Sequence, residues 1–317
     1  MLAARSMLSL FLLHVAATAG DMAQLWNTDS QGAYTSLDPI TGTVLTTLKC
    51  KDPTKCAEQQ QREGVVMADV YYTIRYHHAP TLHGFDLTTG NVSCLIKLPF
   101  QQFGFSAFGM GVYGLAADEK RGRLLAIGPM APFGAASYAH ALFSIDPING
   151  TYTQVGQANL APLPASSSTF DPEARVFYTL YAVGISTSVL GIAVDDGSVV
   201  LDQPLSTRNP LYTIDYYQGD LIGLGLDFLP DTQFRNLQRF DLATKQATTL
   251  LNLTSYAMNM PATALNADAA TLTAFLLPTN SIAANLVTIS LTNLTVVAEP
   301  QLCTQYDMCG LTLAWEK

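Results

Sequence analysis

The stretch LDPITG at residues 37–42 decides the fold. Leu37 closes an apolar strand. Asp38 offers its carboxylate to the amides of a tight turn, and Gly42 supplies the positive φ that sends the chain back as a second strand. The same chemistry returns in FDLTTG at 85–90 and IDPING at 145–150. Weaker copies are VDDG at 194–197, FDLATK at 240–245 and ISLTN at 289–293. Each copy predicts a β-hairpin.

The leading residues Asp38, Asp86, Asp146, Asp195, Asp241 and Ser290 follow one another at 48, 60, 49, 46 and 49 residues. Between the hairpins lies a second repeat: MADVYYTIRY, LAADEKRGRLLAIG, STFDPEARVFYTLY, TIDYYQGDLIGLGL and ALNADAATLTAFLL. Each reads as a strand A, a polar turn and a strand B, so the Asp-anchored hairpin supplies strands C and D. A period near 50 with four strands per unit is the signature of propeller blades. Helical periodicity is absent beyond the leader, apart from ambiguous loop segments. The predicted blades are 64–98, 111–157, 166–205, 211–253 and 261–300, and a sixth is assembled from both chain ends. Its outer strands come from around 24–27, 33–37 and 44–48. Its fourth comes from 310–317, because LTLAWEK repeats the strand A pattern. Zipping the ends together removes the open edges that invite aggregation.

On these residues the chain resembles the six-bladed β-propeller class, an all-β fold, over essentially all of residues 20–317 as a single domain. The resemblance is to the fold alone. The Trp-Asp dipeptides of WD40 blades and the double glycines of kelch repeats are missing, so no family's catalytic residues carry over.

The first nineteen residues read as a secretory signal. Arg5 is followed by a mostly apolar run at 7–15 and by the small-x-small site Ala17-Thr18-Ala19. That run is far shorter than the ~20 residues of a spanning helix, so a secreted, extracellular chain without a membrane span is expected, as a monomer. The composition is 49% hydrophobic and 13% charged, enough for a large core, and the net charge is −9 without a Lys/Arg cluster. Nucleic acid is a poor partner for such a surface. Cys50/Cys56 and Cys303/Cys309 each form C-x5-C, leaving Cys94 over. In an oxidising compartment two short disulfide loops are the simplest reading, with cross-pairing between the clusters as its rival. Asn91, Asn149, Asn252 and Asn293 head N-glycosylation triplets.

Two long loops, 99–110 and 129–140, fall on the face that carries the D-to-A and B-to-C connections. They bring Phe103, Phe105, Phe108, Phe133 and Tyr138 to it, and Tyr76 sits in a third loop. The starts of strand A read Val65-Val66, Met110-Gly111, Ser167-Ser168, Leu211-Tyr212, Met260-Pro261 and Gly310-Leu311, a channel mouth free of carboxylate and histidine. Hard cations need several oxygen ligands, so no metal or other cofactor is expected. Tyr212 and Met260 join the aromatic loops as candidate binding residues. Asp69, Asp118, Asp171 and Asp215 read as turn formers on the opposite face. The leading expectation is a module that binds an extracellular protein or a small apolar or aromatic ligand through the long-loop face. The alternative is a propeller hydrolase or cyclase working through His77, His78 or His140 on small esters, lactones or amides.

Overall fold

The computed structural model describes residues 24–28, 33–49, 60–75, 79–100, 114–130, 139–160, 164–183, 186–206, 210–229, 232–256, 263–279, 281, 283–303 and 312–315. The chain is a six-bladed β-propeller. Blade 1 holds β4 (Gln60–Met67), β5 (Val70–Arg75), β6 (Thr81–Asp86) and β7 (Val92–Lys97), where β1 to β3 belong to the closing blade. Blade 2 holds β8 (Gly114–Asp118), β9 (Arg123–Pro129), β10 (His140–Asp146) and β11 (Thr151–Leu160). Blade 3 holds β12 (Pro164–Asp171), β13 (Val176–Val183), β14 (Ser186–Ala193) and β15 (Val199–Pro204). Blade 4 holds β16 (Asp215–Tyr217), β17 (Asp220–Leu229), β18 (Thr232–Asp241) and β19 (Gln246–Leu253). Blade 5 holds β20 (Thr263–Asn266), β21 (Thr271–Leu276), β22 (Ala284–Ser290) and β23 (Thr295–Ala298). A fifth strand, β24 (Gln301–Cys303), pairs with β22 beyond β23.

Blade 6 is closed by the two ends of the chain. β25 (Thr312–Trp315) lies innermost, then β1 (Leu25–Thr28), β2 (Ala33–Leu37) and β3 (Val44–Lys49). β1 runs antiparallel to β25 with Leu25 opposite Trp315 and Thr28 opposite Thr312. Leu313 also meets Glu63 of β4 in a parallel bridge. Alternation along β1 locks both flanks of the closure. Leu25 enters a core with Ala264, Phe275 and Leu286 of blade 5. Trp26 turns the other way, to Val66, Tyr71 and Phe85 of blade 1. There Tyr34 stacks on Phe85 at 3.7 Å and meets Tyr71 edge-on at 5.5 Å, contacts that exceed simple area burial in strength.

The hairpin chemistry is as the repeat implies. Asp38 accepts from the amides of Ile40 and Thr41, Asp86 from Thr88 and Thr89, Asp146 from Ile148 and Asn149, and Asp241 from Ala243 and Thr244. The Asn149 amide holds the Asp146 carboxyl below the ordinary carboxylate range, and the Thr244 amide does the same for Asp241. Gly42, Gly90, Gly150 and Gly197 occupy the left-handed region. The degraded copies put Lys245 and Leu294 there instead. In VDDG the turn is held by Asp196, which accepts from Ser198, while Asp195 pairs with Arg175.

The turn-former reading of the strand A aspartates holds for Asp171, whose carboxylate accepts from Glu173 and Ala174. Asp118 is instead an ion-pair partner of Arg175 at 3.0 Å, which ties blade 2 to blade 3. Asp215 departs altogether. It opens β16 instead of ending it, because the blade 4 turn is formed by Gln218 and Gly219, three and four residues further on. Among the described residues no helix is long and apolar enough to cross a membrane.

Candidate functional site

The mouth of the channel on the long-loop face differs from its sequence reading at two blades. β4 begins at Gln60, opposite Arg75, and runs to the turn after Met67. The opening residues of blade 1 are therefore Gln60, Gln61, Arg62 and Glu63, and Val65-Val66 lie near the far end. In blade 3 Ser167 and Ser168 sit mid-strand and act as staples. Ser167 Oγ accepts from Ile214 N at 2.7 Å and donates to Ile214 O at 3.3 Å. Thr169 Oγ1 accepts from Tyr216 N at 2.9 Å. These hydroxyls fasten the inner strand of blade 3 to that of blade 4. Ser168 packs over Gly114 of blade 2, where a Cβ would fall 2.0 Å from its Oγ.

Blade 4 carries the most developed constellation. The segment before β16 is strapped to β17. Tyr212 N donates to Leu224 O at 2.8 Å, Leu224 N donates to Thr213 Oγ1 at 2.9 Å, and Leu211 bridges Gly225. This fixes Tyr212 half-buried at the mouth, with the Arg235 guanidinium 5.3 Å from its ring centre. Arg235 is only 1% exposed and is the largest fully buried side chain among the described residues. A desolvated cation over a tyrosine face contributes about 2 kcal/mol. Burial raises the Tyr212 hydroxyl pKa against the opposing pull of Arg235.

Strand alternation explains the placement. Asn236 and Phe240 share one side of β18, and Phe240 packs into the core shared with blade 3. Leu237 lies on the opposite side, in the core shared with blade 5, and Arg235 has the same parity. Asp215 bonds to Thr263, the first residue of β20 in blade 5. Tyr212, Arg235 and Asp215 thus gather on the side of blade 4 turned toward blade 5. Burial pushes the Asp215 carboxyl up to about 7, the Thr263 bond offsetting only part of this, and its Oδ2 has no partner among the described residues.

Of the other candidates, His140 opens β10 between Pro129 and Leu160 and is fully buried. His77, His78, Tyr76, Phe103, Phe105, Phe108, Phe133, Tyr138 and Met260 lie outside the described residues, as do Cys50, Cys56, Cys309 and the side chain of Cys303. Cys94 carries a free thiol whose pKa burial raises to about 11, which makes it unreactive. Asn91, Asn149, Asn252 and Asn293 are all exposed. His83 lies on β6. It is buried at the joint of blades 6 and 1, with the Tyr34 hydroxyl 3.4 Å from its Nδ1. Among the described residues no three His, Cys, Asp or Glu side chains converge as a metal site would require.

With this geometry in view, solved structures give the context. A chain of the crystal structure of the nidogen/laminin complex is 9% identical, with a TM-score of 0.59, over 93% of this chain and 98% of that one. Kuenenia stuttgartiensis hydrazine synthase is 14% identical at a TM-score of 0.52, over 83% of this chain and 75% of that one. Oligogalacturonate lyase in complex with manganese is 13% identical at 0.50, over 87% and 78%. What they share with this chain is the fold. No protein-family model matches the sequence, and no curated protein does.

The two shifted groups at the blade joints make an opposed pair. His83 is pushed down to about 4 from 6.5, by burial first and by Arg75 second. Its stabilising share is complete above pH 6.5 and is lost as pH falls toward 4. Asp215 is raised from 3.8 to about 7. Its share is complete below pH 3.8 and is lost as pH rises toward 7. Asp215→Asn should therefore gain stability relative to the parent as pH rises from 4 to 7. His83→Gln should gain on the parent as pH falls from 6.5 to 4. Denaturant unfolding at stepped pH reads both differences, and profiles parallel to the parent would contradict these placements.

Proposed function

We propose that this chain is a secreted extracellular binding module that uses the long-loop face. The observation that carries the reading is the Tyr212–Arg235 pair, a half-buried aromatic ring held at the channel mouth by a buried guanidinium. Tyrosine and arginine dominate binding hot spots because they present large, rigid, partly polar contact area. The aromatic loops bearing Phe103, Phe105, Phe108, Phe133 and Tyr138, with Tyr76 and Met260, complete the face in this reading. The fold shared with a chain of a nidogen/laminin complex fits a protein partner, and the half-buried aromatic mouth also suits a small apolar or aromatic ligand. The leader at 1–19 accounts for export, the two C-x5-C pairs for disulfides, and monomeric behaviour is expected.

The test begins with a partner captured by crosslinking from the extracellular medium of the producing cell. Tyr212→Ala should weaken binding about thirtyfold, the equivalent of roughly 2 kcal/mol. Phe103, Phe105 and Tyr138 replaced together by Ala should abolish it. Val199→Ser, on the exposed outer strand of blade 3, should leave it unchanged. Loss with Val199→Ser and full affinity in the other two variants would move the site to the rim.

A further inference from the structure

We infer that the groove between the outer strands of blades 4 and 5 receives a lysine or arginine side chain from an extended segment of a partner protein. At this joint a cavity of about 520 Å³ opens between the end of β19 and β23. That size lies within the range that houses small ligands. Strand register fixes which side chains face it. Val296 stands opposite Ile289 across the β22–β23 pair. Ile289 packs with Leu253 and Tyr256 in the core shared by blades 4 and 5. The Val296 side chain therefore turns toward blade 4, over that core, and is 37% exposed.

One carboxylate anchors the groove. The Tyr256 hydroxyl donates to Glu299 Oε2 across the joint, and Tyr256 is itself buried. Burial first and Glu299 second raise the Tyr256 hydroxyl pKa, so the tyrosine stays the donor and the carboxylate the acceptor. Ser255 O accepts from Thr279 N at 2.8 Å, which ties the lip to blade 5. Glu299 is thus held in place while exposed. Among the described residues no Lys or Arg pairs with it, and none lines the cavity. The group that complements such a site is a cation. An aliphatic stem laid on Val296 with its charged head at Glu299 is how lysine and arginine cover apolar surface.

The edge of β23 shows how that side chain arrives. β23 ends its sheet, with β22 on one side and no strand on the other among the described residues. Its sequence, TVVA, carries no charge or proline to blunt that edge. An extended segment paired there satisfies the free main-chain groups, and strand alternation aims every second side chain at blade 4. A basic residue in that register lies over Val296 and reaches Glu299. Tyr212 does not line this groove, which is a second site beside the long-loop face.

Fluorescence polarisation of the full chain with the labelled peptide acetyl-Thr-Val-Arg-Val-Thr-amide tests this. The peptide should bind, and amide exchange over residues 295–298 should slow when it does. Citrulline in place of the arginine, a neutral isostere, should weaken binding roughly fivefold, the upper end for a partly exposed ion pair. Glu299→Gln still accepts from Tyr256 and keeps the floor. It should bind the arginine peptide as weakly as the parent binds the citrulline peptide, and the citrulline peptide as the parent does. n-Butylguanidinium, which lacks a main chain to pair, should bind at least roughly tenfold more weakly than the peptide. Tyr212→Ala should change none of these affinities. No peptide binding by the parent, equal affinity for arginine and citrulline, or an unaltered Glu299→Gln overturns the inference. So does slowed exchange confined to another strand, or n-butylguanidinium as tight as the peptide, which would make the ligand a free cation. A loss with Tyr212→Ala would move the peptide to the channel mouth and overturn it as well.

Discussion

Ending the chain after Leu311 should abolish its cooperative unfolding transition. The truncation removes only β25, yet β25 is the inner strand of blade 6 and the neighbour of β4. Four residue pairs with β1 and the bridge from Leu313 to Glu63 go with it. Without that strand, Leu25 and Trp26 keep no sheet partner on their inner side. The cores they enter on blades 5 and 1 then lose their anchor. The expected loss is about 5 kcal/mol or more, comparable with the ~5–15 kcal/mol that holds an ordinary domain. A thermal melt followed by circular dichroism should show a broad early transition or aggregation. A melt within a few degrees of the parent would mean that β25 is dispensable.

Gly223→Ala should be the most damaging single substitution in blade 4. A Cβ at Gly223 would lie 1.7 Å from Thr213 O and 2.6 Å from its carbonyl carbon. The obstacle is backbone, so no side-chain rotation relieves it. Overpacking costs typically 1–3 kcal/mol, and a clash with main chain belongs at about 3 or above. The segment that must move contains Thr213, whose bonds to Leu224 hold Tyr212 in place and lead into Asp215. The substitution should therefore lower stability and weaken partner binding together. Gly122→Ala is the control. No atom lies within 4 Å of its Cβ position, and its cost comes only from a φ of 59°, about 1 kcal/mol. Equal losses at both positions would show that the strap around Gly223 is looser than described.

The ring was legible because its signals are local. An aspartate that caps its own turn and a glycine with positive φ report a hairpin without reference to the rest of the molecule, and their spacing then counts the blades. The closure was legible by subtraction, since LTLAWEK carried a strand A pattern with no blade of its own. The mouth was harder to read. Val65-Val66 looked like a strand opening because Gln60 to Glu63 are polar, and only the pairing of Gln60 with Arg75 extends β4 backward.

Asp215 imitates Asp171 in sequence, TIDYY against STFDP. What separates them is the turn, Gln218-Gly219 in one blade and Glu173-Ala174-Arg175 in the other. The glycine at 219 was the available signal. Arg235 was missed for a different reason. Strand parity with Leu237 places it on an inward side, but the ring it meets, Tyr212, lies far away in sequence. Burial of a cation against a distant aromatic follows from tertiary packing and from no local pattern. His83 is hidden in the same way, since Tyr34 reaches it only once the two chain ends have joined.

Amide hydrogen exchange over residues 25–28 and 312–315 tests the central claim most directly. Both segments should exchange slowly, at matching rates, and should lose protection in one step with blades 1 and 5 when denaturant is added. Rapid exchange at 312–315 beside a protected ring would contradict closure by the two ends of the chain.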